Sequence, residues 1–92
     1  MYYPSNNWYV VRKNMVGVWQ VEAQQGFFYI PCPSRHKANV VRDYLMYWLA
    51  NSHFYRLSAL VPFVHRLLQC KITFDEFYKQ VKVIHFADRQ EF

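Results

Sequence analysis

The run Trp8-Tyr9-Val10-Val11-Arg12-Lys13-Asn14-Met15-Val16-Gly17-Val18-Trp19-Gln20-Val21-Glu22-Ala23 decides the fold. Trp8 to Lys13 and Val16 to Ala23 are both rich in aromatic and β-branched residues, which suit a pleated, half-buried surface. Asn14-Met15 between them can turn the chain, and Gly17 is available for a bulge or a positive φ. These features predict a hairpin. In its second strand Trp19, Val21 and Ala23 alternate with Val18, Gln20 and Glu22, giving one apolar face and one partly wet face. Gln24-Gln25-Gly26 marks the next turn. Phe27-Phe28-Tyr29-Ile30 then reads as a third strand, stopped by Pro31-Cys32-Pro33, and a three-stranded antiparallel meander is the simplest assembly.

Beyond it the apolar period changes from two to that of a helix. Ser34 is an N-cap, and Ala38, Val41, Leu45, Trp48 and Leu49 recur at helical spacing. A second helical stretch follows Asn51-Ser52 and carries Leu57, Leu60, Val61, Val64 and Leu68 on one side, with Pro62 expected to kink it or to start its second half. Thr73-Phe74-Asp75-Glu76 is a capping box that opens a third helix. From Val83 onward helix and short strand are both open. The expected fold is therefore α+β: a three-stranded antiparallel sheet followed by three helices packed on one face. It forms one domain over residues 1–92, with the sheet at about 8–30 and the helices at about 34–50, 53–70 and 73–84. The other face of the sheet would stay open, and surplus aromatic residues are expected there.

The chain has 92 residues, 53% hydrophobic and only 18% charged, which excludes the high-charge, low-hydropathy class of disordered chains. Aromatic residues make up 21%, more ring surface than one small core easily encloses, so part of it is expected to form a contact surface. The net charge is +5, and +4 of it lies at or before Arg42. That half is where a polyanionic partner is expected. The two cysteines, Cys32 and Cys70, do not form a disulfide framework, and the first residues lack a basic segment followed by an apolar run. A reduced, cytoplasmic setting in a host cell and no membrane association are the expectations, since no apolar stretch reaches the ~18–20 residues of a span.

Several constellations could carry chemistry. On the hairpin, Arg12 and Lys13 stand beside Tyr9 and Trp19. Cations attract phosphates, and an exposed ring can stack on a base. The same residues read equally well as a strand end over a core tryptophan. At the start of the first helix Ser34-Arg35-His36-Lys37 oppose the helix dipole unless an anion is bound, and Arg42 lies two turns further on. Val40, Val41, Tyr44, Leu45, Tyr47, Trp48 and Leu49 wrap most of that helix, which calls for more than one neighbour: the later helices, a partner protein reached through Tyr9 and Tyr47, or a second copy of the chain. Cys32, His36, His65 and Cys70 do not match the common zinc spacings, so no metal is expected, and Cys70 reads as a small buried residue on a helix. Ser34, His36 and Asp43 would share one helix, where a nucleophile relay cannot form, and two glycines cannot supply a phosphate loop. No catalytic residues and no cofactors are expected.

The pattern Tyr9-x-Val11-Arg12-Lys13-Asn14-x-x-Gly17-x-Trp19-x-Val21, followed by a third strand and a helix with Ala38, resembles the three-stranded-sheet-plus-helix DNA-binding modules of phage integrase arms, an architecture shared by plant ethylene-response factors. The resemblance covers residues 9–49. It implies a sheet lying in the major groove with Arg12, Lys13 and Trp19 as contacts. In size and aromatic richness the chain is also similar to small phage accessory proteins, anti-CRISPR proteins among them. The leading expectation is thus a non-enzymatic, basic binding protein that inhibits a nucleic-acid-handling host complex by steric block, its partner a protein, a ribonucleoprotein or nucleic acid, met through Arg12, Lys13, Trp19, Arg35, His36, Lys37 and Arg42. A DNA-binding module of the integrase-arm kind, a small toxin ribonuclease and a homodimeric structural protein are the alternatives.

Overall fold

A computed structural model of the chain describes residues 8–23 and 28–87. Strands β1 (Tyr9–Lys13), β2 (Trp19–Ala23) and β3 (Tyr29–Cys32) form an antiparallel sheet in that spatial order. Helices α1 (Arg35–Ala50), α2 (Phe54–Leu68) and α3 (Phe74–Phe86) follow, so the α+β class and the strand-then-helix order are as expected.

The register assigns every strand residue to a face. Tyr9 lies opposite Ala23, Val11 opposite Val21, Lys13 opposite Trp19, and on the other side Trp19 faces Cys32 and Val21 faces Ile30. Because side chains alternate along a strand, these residues share the helix-covered face, while Val10, Arg12, Gln20, Glu22, Tyr29 and Pro31 share the open one. On the covered face Val21 and Ile30 are fully buried against Val41, Leu45 and Trp48 of α1, Leu60 and Val64 of α2, and Phe77 and Val81 of α3.

Among the described strand residues the open face carries only Tyr29 of the aromatic surplus expected there. Val10 and Pro31 also stand on it, and Arg12, Gln20 and Glu22 form a polar ladder continued by Asn14. Asn14 Nδ2 donates to Gln20 Oε1 (3.1 Å), Gln20 Nε2 donates to Glu22 Oε2 (2.6 Å), and Arg12 Nε pairs with Glu22 Oε1 (3.3 Å). Gln20 is buried within it, with its amide satisfied at both ends, as burying a polar group requires.

The hairpin turns where the sequence indicates. Asn14 N–H donates to Val18 C=O (2.9 Å) and Gly17 N–H to Asn14 C=O (3.0 Å), leaving a three-residue loop closed by Gly17 at φ +89°. The Asn14 side-chain oxygen also accepts from Val16 and Val18 N–H. The expected turn at Gln24-Gln25-Gly26, and Phe27, lie outside the described residues. The third strand differs from expectation by running through Pro31 to Cys32. An edge strand tolerates this, because half of its N–H groups have no ladder partner to lose.

Ser34 caps α1 by accepting from Lys37 N–H (3.2 Å), and Thr73 with Glu76 forms the expected capping box of α3. Pro62 neither ends nor starts a helix: it sits inside α2, exposed. α1 and α2 both end through a residue in the left-handed region, Ser52 and Cys70, each at φ +59°. In both, the next N–H reaches back to the helix: His53 to Trp48 C=O (2.7 Å) and Lys71 to Arg66 C=O (2.8 Å). Cys70 is consequently exposed at a helix end and not buried on a helix as expected. α3 continues through Val83 and Ile84 to Phe86, so this stretch is helix and not strand. No helix among the described residues is long and apolar enough to cross a membrane.

Candidate functional site

The N-terminal end of α1 gathers most of the cations singled out in the sequence. Arg35 extends from the first turn of α1 across to β2, its guanidinium carbon 5.4 Å from the centre of the Trp19 ring. Lys13 reaches the same ring from β1, with Nζ at 5.8 Å. The register explains the meeting, since Lys13 and Trp19 are directly paired on the covered face and α1 crosses that face. On the other side of the same helix end, Lys37 Nζ stands 4.3 Å from the centre of the Tyr78 ring, and Lys82, one turn after Tyr78 on α3, stands at 4.7 Å. Each ring thus braces two cations. Such contacts contribute about 0.5–1 kcal/mol each at exposed sites, which biases the long side chains toward the rings but is less than the ~2 kcal/mol of rotamer entropy that fixing them would cost. Among the described residues none of Lys13, Arg35, Lys37 and Lys82 makes an ion pair. His36 is exposed between Arg35 and Lys37.

Three expected contact residues stand elsewhere. Arg12 is on the open face, paired with Glu22 and turned away from Lys13 and Trp19, because adjacent strand residues point to opposite sides. Arg42 pairs with its neighbour Asp43 (3.2 Å). Tyr9 is not available as a contact aromatic: it is buried in the core against Phe28, on the covered face by its pairing with Ala23, and burial raises its phenol pKa. Trp19 is itself half-buried, so its ring serves as a platform for cations. The sequence offers Tyr78 only as one ring of the helical aromatic set, with no link to a cation, and gives Lys82 no role. Their i, i+4 spacing on a capped helix is the signal that could have found them.

A second cluster lies at the far end of α1. Tyr47 is half-exposed there, edge-on to His53 and to His85 of α3, and Tyr44 stands edge-on to His85 with ring centres 5.0 Å apart. Trp48 Nε1 donates to His85 Nδ1 (2.8 Å), and the buried Arg56 brings Nη1 to 3.4 Å from the same nitrogen. Val40, Asp43, Tyr44, Tyr47 and His85 line a shallow, open concavity of about 310 Å³. The spacing Lys37 to Tyr78 and Tyr44 to His85 shows that α1 and α3 run side by side in the same sense. The apolar wrap of α1 is therefore largely covered within the chain, by the sheet, α2 and α3.

Cys32 is buried, its Sγ donating to Ile30 C=O (3.4 Å), and burial pushes its thiol pKa up to about 12, against the lowering effect of a backbone hydrogen bond from Val21. A thiol held neutral is a poor nucleophile and a poor metal ligand. Among the described residues no three metal-ligating side chains come together. Set against known proteins, the chain matches no family model, no curated protein and no solved structure.

Proposed function

We propose that the protein is a non-enzymatic binding module that grips a nucleic-acid backbone with the cations at the N-terminal end of α1. The observation that supports this is the pair of braced sets, Lys13 and Arg35 on Trp19, Lys37 and Lys82 on Tyr78, with none of the four cations neutralised by a carboxylate among the described residues. Unpaired cations gathered on two rings attract phosphates, and the bias the rings impose removes part of the ordering cost of binding. Both rings already carry cations, so they favour contact with the backbone over the base stacking that single-strand binders use. Contact of this kind is independent of sequence. A small protein seated on a backbone excludes whatever else must read it, and that is how this chain would inhibit a nucleic-acid-handling complex of the kind that anti-CRISPR proteins block.

Fluorescence anisotropy with a labelled duplex over a salt series tests this. Four phosphate contacts predict a slope of log K against log salt of about −3.6, and each of Lys13→Ala, Arg35→Ala, Lys37→Ala and Lys82→Ala should flatten it by about 0.9. Arg12→Ala, on the opposite face of the sheet, should change the slope little. Equal effects of Arg12→Ala and Arg35→Ala would place the contact elsewhere, and no salt-dependent binding would end the proposal.

A further inference from the structure

We infer that the tip of the β1–β2 hairpin is an apolar wedge that enters a base step of duplex nucleic acid while the neighbouring cations hold the backbone; this rests on the binding reading above. Met15 is fully exposed and Val16 is 83% exposed, the most solvent-accessible of the exposed large apolar residues. The two adjacent side chains form a small continuous apolar patch at the tip, more exposed than the adjacent Phe54 and Tyr55.

Their exposure is not the accident of a loose loop. Asn14 fixes the turn from both its backbone and its side chain: its N–H and C=O bond Val18 and Gly17, its Oδ1 accepts from Val16 and Val18 N–H, and its Nδ2 is anchored to Gln20 in the sheet. Gly17 supplies the positive φ that such a loop requires. The turn therefore presents Met15 and Val16 in a fixed direction, away from the core. It springs from the strand ends that carry Lys13 and Trp19, and the Lys13 stem passes the turn 3.9 Å from where a Cβ on Gly17 would stand.

An apolar tip beside Lys13, with Arg35 on the Trp19 ring at the base of the hairpin, suits a partner that is anionic outside and apolar just behind. Stacked base pairs behind a phosphate backbone have that layering, and proteins that kink duplexes insert side chains of this type between base steps. The cations carry the salt dependence, while the tip adds unstacking and bending, which cations alone do not produce.

The test uses the full chain, a duplex with 2-aminopurine at its centre and dyes at its two ends, and the double variant Met15→Ser/Val16→Ser, whose exposed positions leave the core and Asn14 untouched. The wedge predicts that binding raises 2-aminopurine fluorescence and shortens the end-to-end distance, and that the double variant loses both signals and binds several-fold more weakly with an unchanged salt slope. Salt-dependent binding without either signal, or signals that survive in the double variant, overturns the wedge and leaves the backbone contact standing. Absence of any salt-dependent duplex binding overturns both. Vesicles of phosphatidylserine and phosphatidylcholine serve as the competing surface, and tip-dependent binding to them in preference to the duplex overturns the wedge in favour of a membrane surface.

Discussion

Cys32 and Cys70 show how much a single residue's place depends on backbone that composition does not reveal. Both are free thiols, but the sequence gives no sign that one is core and the other a helix terminus. Cys70 occupies the left-handed position that ends α2, where glycine is the usual signal, and Ser52 does the same for α1. Asn51-Ser52 does mark the break after α1, whereas cysteine gives no explicit stop for α2 and Cys70 reads as one more helical residue. Its exposure sets it apart chemically from Cys32. A thiol reagent added to the native protein at about pH 8 should label one site per chain quickly, and Cys70→Ser should abolish that phase while unfolding exposes the second site. The Cys32 pKa, raised to about 12, also sets a direction for stability. Below the ordinary thiol value both native and unfolded chains hold the neutral form. Above it the unfolded chain ionises first, so stability falls as pH rises toward the native value. Urea midpoints of the wild type against Cys32→Ala between about pH 8 and 10 should show that extra alkaline loss in the wild type only.

At the scale of elements, legibility follows the strength of the local signal. The hairpin and α1 could be read because alternation in β2 and helical spacing in α1 each put one apolar row on one side, and tertiary packing uses those rows: Val21 and Ala23, then Ala38, Val41, Leu45 and Trp48, are all buried. Arg12 and Lys13 could be read as charges but not as a pair of opposite faces until the register was known, and this separates the cation in the polar ladder from the one in the braced set. The cost of a proline depends on its setting. Pro31 suggests a strand end and instead lies within an edge strand. Pro62 suggests a kink or the start of a second half; the helix runs unbroken from Phe54 to Leu68, so it starts nothing, and it sits exposed inside α2, where it withholds one N–H from the turn before it. Interior proline carries a penalty of about 3 kcal/mol against alanine, part of which the stiffer unfolded chain returns. Pro62→Ala should accordingly stabilise the protein by about 2 kcal/mol, read as a higher urea midpoint with an unchanged m value. A lower midpoint would mean that the proline shapes a bend the α2 packing needs.

For the molecule as a whole α1 is the organiser. It packs on all three strands and on both other helices, and its two ends carry the two functional-looking clusters, cationic at the N-terminal end and aromatic around His85 at the other. This arrangement accounts for part of the aromatic excess visible in composition. Among the described residues Trp48 and Phe77 are core and Trp19, Tyr78 and Tyr47 stand against cations or His85, while Trp8, Tyr29, Phe54, Tyr55 and Phe86 remain exposed. The charge asymmetry of the chain has the same origin, because the basic residues before Arg42 include the hairpin and the first turn of α1, which fold against each other. What the sequence could not disclose was the contribution of α3: Tyr78, Lys82 and His85 meet α1 only through the parallel packing of two helices separated by a third. A fold built around one helix should have no part that survives its loss. Leu45 is fully buried in α1 among the residues of the core that sheet and helices share. Leu45→Ala should cost about 2–5 kcal/mol, a large share of what a domain of this size has. The urea transitions followed by tryptophan fluorescence, which senses Trp8 and Trp19 at the sheet and Trp48 in α1, and by far-ultraviolet circular dichroism should move down together and remain coincident. Separation of the two curves would show that the sheet and the helices hold together independently, and that of the two cations on Trp19 only Lys13, which belongs to the sheet, could keep its place without α1.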